Sequence, residues 1–180
     1  MKIYSTRHGQ TDYNKRDIIL GTTDIVLNDT GIAQARELAD KIYGNEEIRI
    51  DLIISSPMKR ALRTAEIISE RCGIPIITDK RLREWNYGEY EGMHRDAEGF
   101  PESKREFGVR MGRTGESLLQ LSHRVYSALD WIIEQYADKN VLIVSHGGVC
   151  RMIETYFHDM TTEQFSGWFM GNCQLICYEL

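Results

Sequence analysis

The run Asn140-Val141-Leu142-Ile143-Val144-Ser145 constrains the fold of this chain more than any other stretch. Four consecutive apolar residues, two of them valines, between polar ends are too short for an ordinary helix and read as a buried strand. The run breaks at once into His146-Gly147-Gly148, and Val149 then opens a helical pattern with Met152, Ile153 and Tyr156. A buried strand, a glycine turn and a helix in that order form the unit of an α/β protein with a largely parallel sheet.

The same unit recurs along the chain. Lys2-Ile3-Tyr4 reads as a first strand, and a polar loop containing Gly21 follows Asn14. Asn28 and Asp29 suit a helix N-terminus, as a capping side chain and an acid in the first turn. Ile32, Ala35, Leu38 and Ile42 form its apolar stripe, and Gly44 ends it. Asp51-Leu52-Ile53-Ile54-Ser55 predicts a second strand. Ser56-Pro57 then reads as an N-cap and a first helical proline, opening a helix that runs to about Cys72 with Gly73 as its cap. Pro75-Ile76-Ile77-Thr78 predicts a third strand, Glu116 to Tyr136 the longest helix, and Cys173 to Tyr178 a final strand that could lie antiparallel at an edge. Strand order stays open.

At 180 residues the chain is expected to be one domain spanning 1–180. Residues 79–115 show no sustained periodicity. Irregular stretches of that length in a compact domain are usually functional, so about 93–115 is expected to be a lid or pocket wall. The net charge of −5 argues weakly against nucleic-acid or membrane-surface partners. No apolar run approaches the roughly 18 residues that span a bilayer, and Lys2 and Arg7 interrupt any leader-like segment. A cytoplasmic protein is expected. Cys72, Cys150, Cys173 and Cys177 are scattered without a CxxC pair and read as reduced thiols.

If the first, second and fourth strands are parallel, their carboxyl ends share one rim, where ligands of open α/β sheets bind. Arg7-His8-Gly9, Ser56 with Arg60, and His146-Gly147 all fall on that rim. Arginine forks suit phosphate oxygens. A neutral imidazole can act as nucleophile, and a helix N-terminus with Arg60 in its first turn attracts anions. Two histidines and two arginines without metal-ligand spacing predict a dianion site suited to phosphoryl transfer, with no metal and no cofactor. Glu84 is the nearest candidate, by residue type, for protonating a leaving oxygen.

At this point the sequence resembles the histidine phosphatase superfamily, in its phosphoglycerate mutase-like branch. The resemblance rests on Arg7-His8-Gly9 with Thr11 and Asn14; Ser55-Ser56-Pro57 with Arg60-Ala61 and Thr64-Ala65; Leu82 with Glu84, Gly88 and Glu91-Gly92; Gly115-Glu116-Ser117; and Ser145-His146-Gly147-Gly148. It covers nearly the whole chain and implies a three-layer α/β/α sandwich. It further implies that His8 is transiently phosphorylated, that Arg7, Arg60 and His146 bind the phosphoryl oxygens, that Asn14 adds a hydrogen bond, and that Glu84 serves as acid and base. Thr11, Gly21 and Gly147 are expected to bind substrate as well.

The resemblance implies a metal-independent phosphomonoesterase acting on a small phosphorylated metabolite, such as a sugar phosphate, a phosphoglycerate-like acid or a nucleotide-like monophosphate. A cofactor-dependent phosphoglycerate mutase and a phosphoprotein phosphatase are the alternatives. The lid has dispersed cations (Arg95, Lys104, Arg105, Arg110, Arg113) rather than the adjacent pair associated with mutases. Trp85 and Tyr90-Glu91-Gly92 resemble the phosphatases, whereas Asn86-Tyr87-Gly88 keeps some mutase character. A homodimer is among the permitted assemblies. Plainer roles are expected elsewhere: packing for Tyr87 and Tyr90, a structural or solvated charge for Arg63, surface positions for His123 and His158, and for His94 either a substrate contact or an exposed loop position. Glu89 and Glu91 compete with Glu84 for the acid role by proximity alone.

Overall fold

The computed structural model describes residues 1–180. Its strands are β1 (Lys2–Arg7), β2 (Leu52–Ser55), β3 (Ile76–Thr78), β4 (Val141–Ser145) and β5 (Leu175–Glu179). Its helices are α1 (Asp12–Lys15), α2 (Asp29–Tyr43), α3 (Lys59–Cys72), α4 (Phe100–Ser103), α5 (Leu118–Gln135), α6 (Gly147–Phe157) and α7 (Thr162–Gly167), with single 3-10 turns at Lys80–Leu82 and Gly88–Tyr90. The five strands form one sheet in the order β3-β2-β4-β1-β5. The first four are mutually parallel, and β5 runs antiparallel on the edge beside β1.

The run expected to be a buried strand, β4, lies in the middle of the sheet. Val141 to Val144 are buried on both faces because successive side chains point to opposite sides. Ile3, Ile54, Val141 and Ile143 pack on one face against Leu121, Val125, Leu129 and Ile132 of α5 and Met152 and Ile153 of α6. Tyr4, Ile53, Leu142 and Val144 pack on the other against Ala35, Leu38 and Ile42 of α2 and Ala61, Ala65 and Ile68 of α3. The result is a mixed α/β fold with helices on both faces of a mostly parallel sheet. Truncating Ile143 or Leu142 to Ala would cost about 2–5 kcal/mol, because neither site can collapse between two packed layers.

Several boundaries differ from the sequence expectations. Helix α2 starts and stops as expected, with the Asn28 side chain accepting from the Gly31 amide. Helix α3 begins at Lys59, with Met58 as N-cap, and not at Pro57. The Ser56 hydroxyl is instead 2.8 Å from His146 Nε2. Helix α6 starts at Gly147 rather than Val149, so both glycines are helical. Strand β5 starts at Leu175; Cys173 has φ of 55° and belongs to the preceding turn. Helices α1 and α7 carry no long apolar period, yet both are held by capping boxes, Thr11 with Asn14 and Thr161 with Gln164.

The parallel register aligns the carboxyl ends of three strands. Arg7 pairs with Ser145, and Ser55 with Val144. The ladder continues one residue further, since the His8 amide donates to the Ser145 carbonyl and the Ser56 amide to the Val144 carbonyl, both at 2.9 Å. No helix is long and apolar enough to cross a membrane.

Candidate active site

Two strand ends, those of β1 and β4, deliver two imidazoles to one point. The rings of His8 and His146 lie 5.1 Å apart, edge to face. Both residues are buried, as are Arg7, Arg60 and Glu84.

His8 is held by two hydrogen bonds that assign its tautomer. Nδ1 lies 2.7 Å from the carbonyl oxygen of Gly9, which can only accept, so Nδ1 carries the proton. Nε2 therefore bears the lone pair, and it accepts from Arg60 Nε at 3.2 Å. Burial first, and then the Arg60 and Arg7 charges, hold the His8 ring well below the usual histidine range. The ring is thus neutral at physiological pH, the state that a nucleophile requires.

The backbone around His8 is tied down on three sides. Thr64 Oγ1 accepts from the Gly9 amide at 3.1 Å. Asn172 Nδ2 donates to the His8 carbonyl at 2.7 Å, and the Cys173 amide donates to the Arg7 carbonyl at 2.9 Å. Gly9 also lies so close to the Gly31 backbone that a side chain would collide with main-chain atoms.

Arg60 is fully buried, with every guanidinium nitrogen occupied. Besides Nε on His8, Nη1 donates to the Thr23 carbonyl at 3.0 Å and Nη2 to the Gly21 carbonyl at 2.8 Å. Burial pushes it down to about 10, and it stays charged at neutral pH. The loop that receives it is clamped in turn by Glu91. One Glu91 oxygen accepts from the amide and hydroxyl of Thr22, and the other from those of Thr23. Burial alone would raise the Glu91 carboxyl, but these four hydrogen bonds outweigh it and hold it below the usual carboxylate range.

His146 Nε2 is 2.8 Å from Ser56 Oγ, whereas Nδ1 is buried with no partner. Burial, then Arg60, His8 and Arg7, lower this ring well below the usual range as well. Arg7 donates through Nη1 to the Met170 carbonyl at 3.0 Å, and its Nε is likewise unpartnered. These two nitrogens are the only buried side-chain polar atoms in the protein without a hydrogen bond. Buried donors are normally satisfied, so the pair marks where an anion's oxygens belong.

Glu84 sits at the N-terminus of α6. Its Oε1 accepts from the Trp85 amide at 2.8 Å and the Gly148 amide at 3.1 Å, and Oε2 lies 3.2 Å from the latter. These amides orient the carboxyl group toward the pocket that it lines. Arg124 fixes the loop beneath it by donating to the carbonyls of Arg81, Arg83 and Glu84 while paired with Glu116. The competing acids are spent elsewhere: Glu89 pairs with Arg113 on the surface, and Glu91 clamps the 22–23 loop.

Arg7, His8, Asn14, Glu84, Gly147 and Gly148 line a narrow pocket, in which about 50 Å³ is open to the centre of a water-sized sphere. Arg60 and His146 adjoin the pocket at His8, the one through its Nε on the ring and the other through the packing of the two imidazoles. Asn14 Oδ1 accepts from the Thr11 amide, which leaves the Asn14 NH2 for a ligand. Two residues expected to bind substrate, Thr11 and Gly21, are not among those that line this pocket. Thr11 is buried as the N-cap of α1, where its hydroxyl holds Asn14. Gly21 is buried as an acceptor for Arg60, against Glu91, where no side chain fits. Neither lines the pocket: Thr11 holds Asn14, which does, and Gly21 holds Arg60, which contacts His8. His94 pairs with Asp96 on the surface, Arg63 with Glu66 and Glu70, and His158 with Glu154.

Sequence reasoning missed Arg151, Trp168, Phe169 and Met170, which close the far side of the pocket. Arg151 stands one helical turn after Gly147, a spacing that places both on one face of α6. The 168–170 segment has no periodicity that could have signalled it.

A profile of the histidine phosphatase superfamily (branch 1) matches residues 3–180. A Bacillus subtilis relative named "Uncharacterized phosphatase PhoE" is 37% identical over 149 residues, spanning 83% of this chain and 73% of its own. "Phosphoglycerate mutase-like protein 4" of Arabidopsis thaliana is 35% identical over 160 residues, 84% of this chain and 69% of its own. Among solved structures, the fold is similar to Bacillus stearothermophilus YhfR, with a TM-score of 0.86 at 28% identity over 99% of this chain and 91% of that one. It is also similar to a mycobacterial glucosyl-3-phosphoglycerate phosphatase, with a TM-score of 0.84 at 27% identity, covering 98% and 90%. The chain belongs to the histidine phosphatase superfamily, branch 1.

Proposed function

We propose that this protein hydrolyses a small phosphomonoester through a phosphohistidine on His8. The observation that carries the reading is the pair of unpartnered buried nitrogens, Arg7 Nε and His146 Nδ1, around a neutral imidazole whose Nε2 bears the lone pair. A phosphoryl group entering beside His8 offers oxygens to both, and a third oxygen replaces His8 Nε2 as the acceptor from Arg60. That exchange frees the lone pair for attack at phosphorus. The P–N bond forms as the ester P–O bond breaks, and Glu84 gives its proton to the departing alkoxide. Glu84 then takes a proton from water, which attacks phosphorus and releases inorganic phosphate with His8 restored. Preorganised cationic donors of this kind stabilise the transferring group's charge without reorganising during the reaction.

The 93–115 segment contributes Arg95, Phe100 and Lys104 to the pocket and acts as the lid-like wall that selects the substrate. A narrow pocket supports a small metabolite over a phosphoprotein. All four cysteines are free thiols, which suits a reducing setting and keeps the cytoplasm as the proposed location.

The test is a set of labelled phosphomonoesters incubated with purified protein in EDTA. Phosphate release, with an acid-labile and base-stable protein label absent in His8→Ala, is the expected result. Isomerisation of 3-phosphoglycerate in the presence of a bisphosphate primer, without phosphate release, would instead make the chain a mutase.

A further inference from the structure

The two edges of the sheet are protected unequally. Strand β3 has three residues, follows Pro75 and leads into Lys80. Short length, proline and lysine are devices that keep an edge strand from pairing with another chain. Strand β5, at the opposite edge, has none of them. It runs for five residues in unbroken register with β1, from the Lys2/Glu179 pair to the Thr6/Leu175 pair.

The phase of its hydrogen bonds follows from its neighbours. The Lys2 and His8 amides donate toward β4, to Asn140 Oδ1 and the Ser145 carbonyl, whereas the Leu180 amide donates to the Met1 carbonyl. Odd-numbered residues of β1 therefore face β5. Antiparallel pairs alternate between bonded and non-bonded, so Tyr178 and Ile176 bond to Ile3 and Ser5. The amides and carbonyls of Leu175, Cys177 and Glu179 point away from the sheet, and no other segment supplies them with partners. Cys177 and Glu179 are exposed, and Leu175 is half-buried.

This row of free donors and acceptors is complementary to itself, because it is centred on Cys177. An antiparallel copy with its two-fold axis there sets Leu175 opposite the partner's Glu179 and Cys177 opposite the partner's Cys177. Each such pair satisfies both of its donors and both of its acceptors. Ile176 then falls opposite the partner's Tyr178 in a non-bonded pair, where side chains come closest and β-branched and aromatic residues reinforce the ladder. The one charge on the strand, Glu179, is already paired with Lys2 at 2.9 Å and meets a leucine, so no like charges are opposed.

We infer that β5 is a docking edge for a second copy of this chain, which pairs antiparallel about Cys177 and joins the two sheets into one. The arrangement is isologous and closed. A single strand pair is a small interface, so the dimer forms reversibly and with concentration. The inference is independent of the phosphatase reading.

Sedimentation velocity over a concentration series reaching millimolar protein, with residue-resolved amide exchange at both ends of the series, tests it. The expected result is a monomer–dimer equilibrium. In the dimer the Leu175, Cys177 and Glu179 amides gain about tenfold protection or more, while Ile176 and Tyr178 are protected throughout. Cys177→Lys and Cys177→Glu set like charges opposite each other at the axis, and each is expected to raise the dimer Kd about threefold or more. Mixing the two variants is expected to restore association, which also shows that both are folded. In a Cys72→Ser/Cys173→Ser background Cys177 is the one thiol that is not buried, and bis-maleimidoethane is expected to join two copies through it. Leu119→Lys, at an exposed apolar residue elsewhere, is expected to leave the Kd unchanged. A monomer throughout the series overturns the inference. So does a dimer that persists equally in both charged variants, or one that leaves the Leu175, Cys177 and Glu179 amides unprotected.

Discussion

Arg60 Nε donates to His8 Nε2 across 3.2 Å, so the guanidinium proposed to hold a phosphoryl group covers the lone pair of the His8 ring beforehand. The other two nitrogens of the fork rest on the carbonyls of Gly21 and Thr23. A lysine cannot reproduce three donors in one plane. Arg60→Lys is therefore expected to lower kcat/KM about 10²–10³-fold, the range found when a preorganised charge-stabilising donor is lost. Steady-state kinetics on a common phosphomonoester would check it, and a loss under threefold would contradict the assignment.

Glu91 never touches the pocket, yet it holds the 22–23 loop on which Arg60 rests. Glu91→Gln keeps the size and removes the charge from four hydrogen bonds. The expected outcome is a stability loss of about 1–3 kcal/mol and a fall in kcat exceeding any change in KM. A matching rise in the on-enzyme phosphohistidine level would instead place the defect in the water-dependent step, against a role through Arg60.

Glu84 depends on the absence of a side chain at residue 148. A methyl group there would stand 2.7 Å from Glu84 Oε1 and 3.2 Å from both Trp85 Cβ and the Tyr87 hydroxyl. Gly148→Ala should displace the carboxyl and cost about 10²-fold in kcat on alkyl phosphates, within the range of general acid catalysis. On p-nitrophenyl phosphate, whose leaving group needs little protonation, the first step should suffer far less. Equal losses on both substrates in single-turnover bursts would exclude displacement of the acid.

Both buried imidazoles resist protonation in the folded protein. The unfolded chain therefore binds more protons than the folded one once pH drops below the ordinary histidine value near 6.5. The stability these rings confer is present above that pH and is lost as pH falls, by about 1.4 kcal/mol per pH unit for each ring. Urea unfolding at pH 7.5 and 5.5 should show a larger loss for the native protein than for the His8→Asn/His146→Asn double variant. Saturating phosphate should reduce the native loss, because a bound dianion favours the protonated His146.

The fold was legible where one period governed a segment. Val141 to Val144 announced a buried strand, though not its place in the sheet, and Asn28 and Gly44 bounded α2. The misses arose where side chains serve the site. Ser56 has the identity of a helix cap, but its hydroxyl faces His146, so α3 begins two residues beyond Pro57. Strand β1 runs three residues further than its apolar start, because Ser5 and Thr6 find polar partners in Cys150 and the Gln174 carbonyl and can be buried. Within the site, the motifs placed His8, Arg7, Arg60, His146 and Glu84 around one point. Thr11 and Gly21 stand in the same motifs but face inward, a distinction that residue type alone does not carry. The 168–172 segment contributes pocket wall and a hydrogen bond to His8 through loop geometry, for which local pattern gives no sign.

The close seat of Gly9 on Gly31 reaches into the chemistry without containing a single ionisable atom. The Gly9 carbonyl selects the imidazole tautomer, and its aim depends on how nearly two stretches of main chain can approach. The opening turn of α2 thereby decides which nitrogen of the His8 ring bears the lone pair. A substitution at residue 31 would reach the nucleophile by rotating an acceptor away from it, leaving all five charged and imidazole groups of the centre chemically untouched.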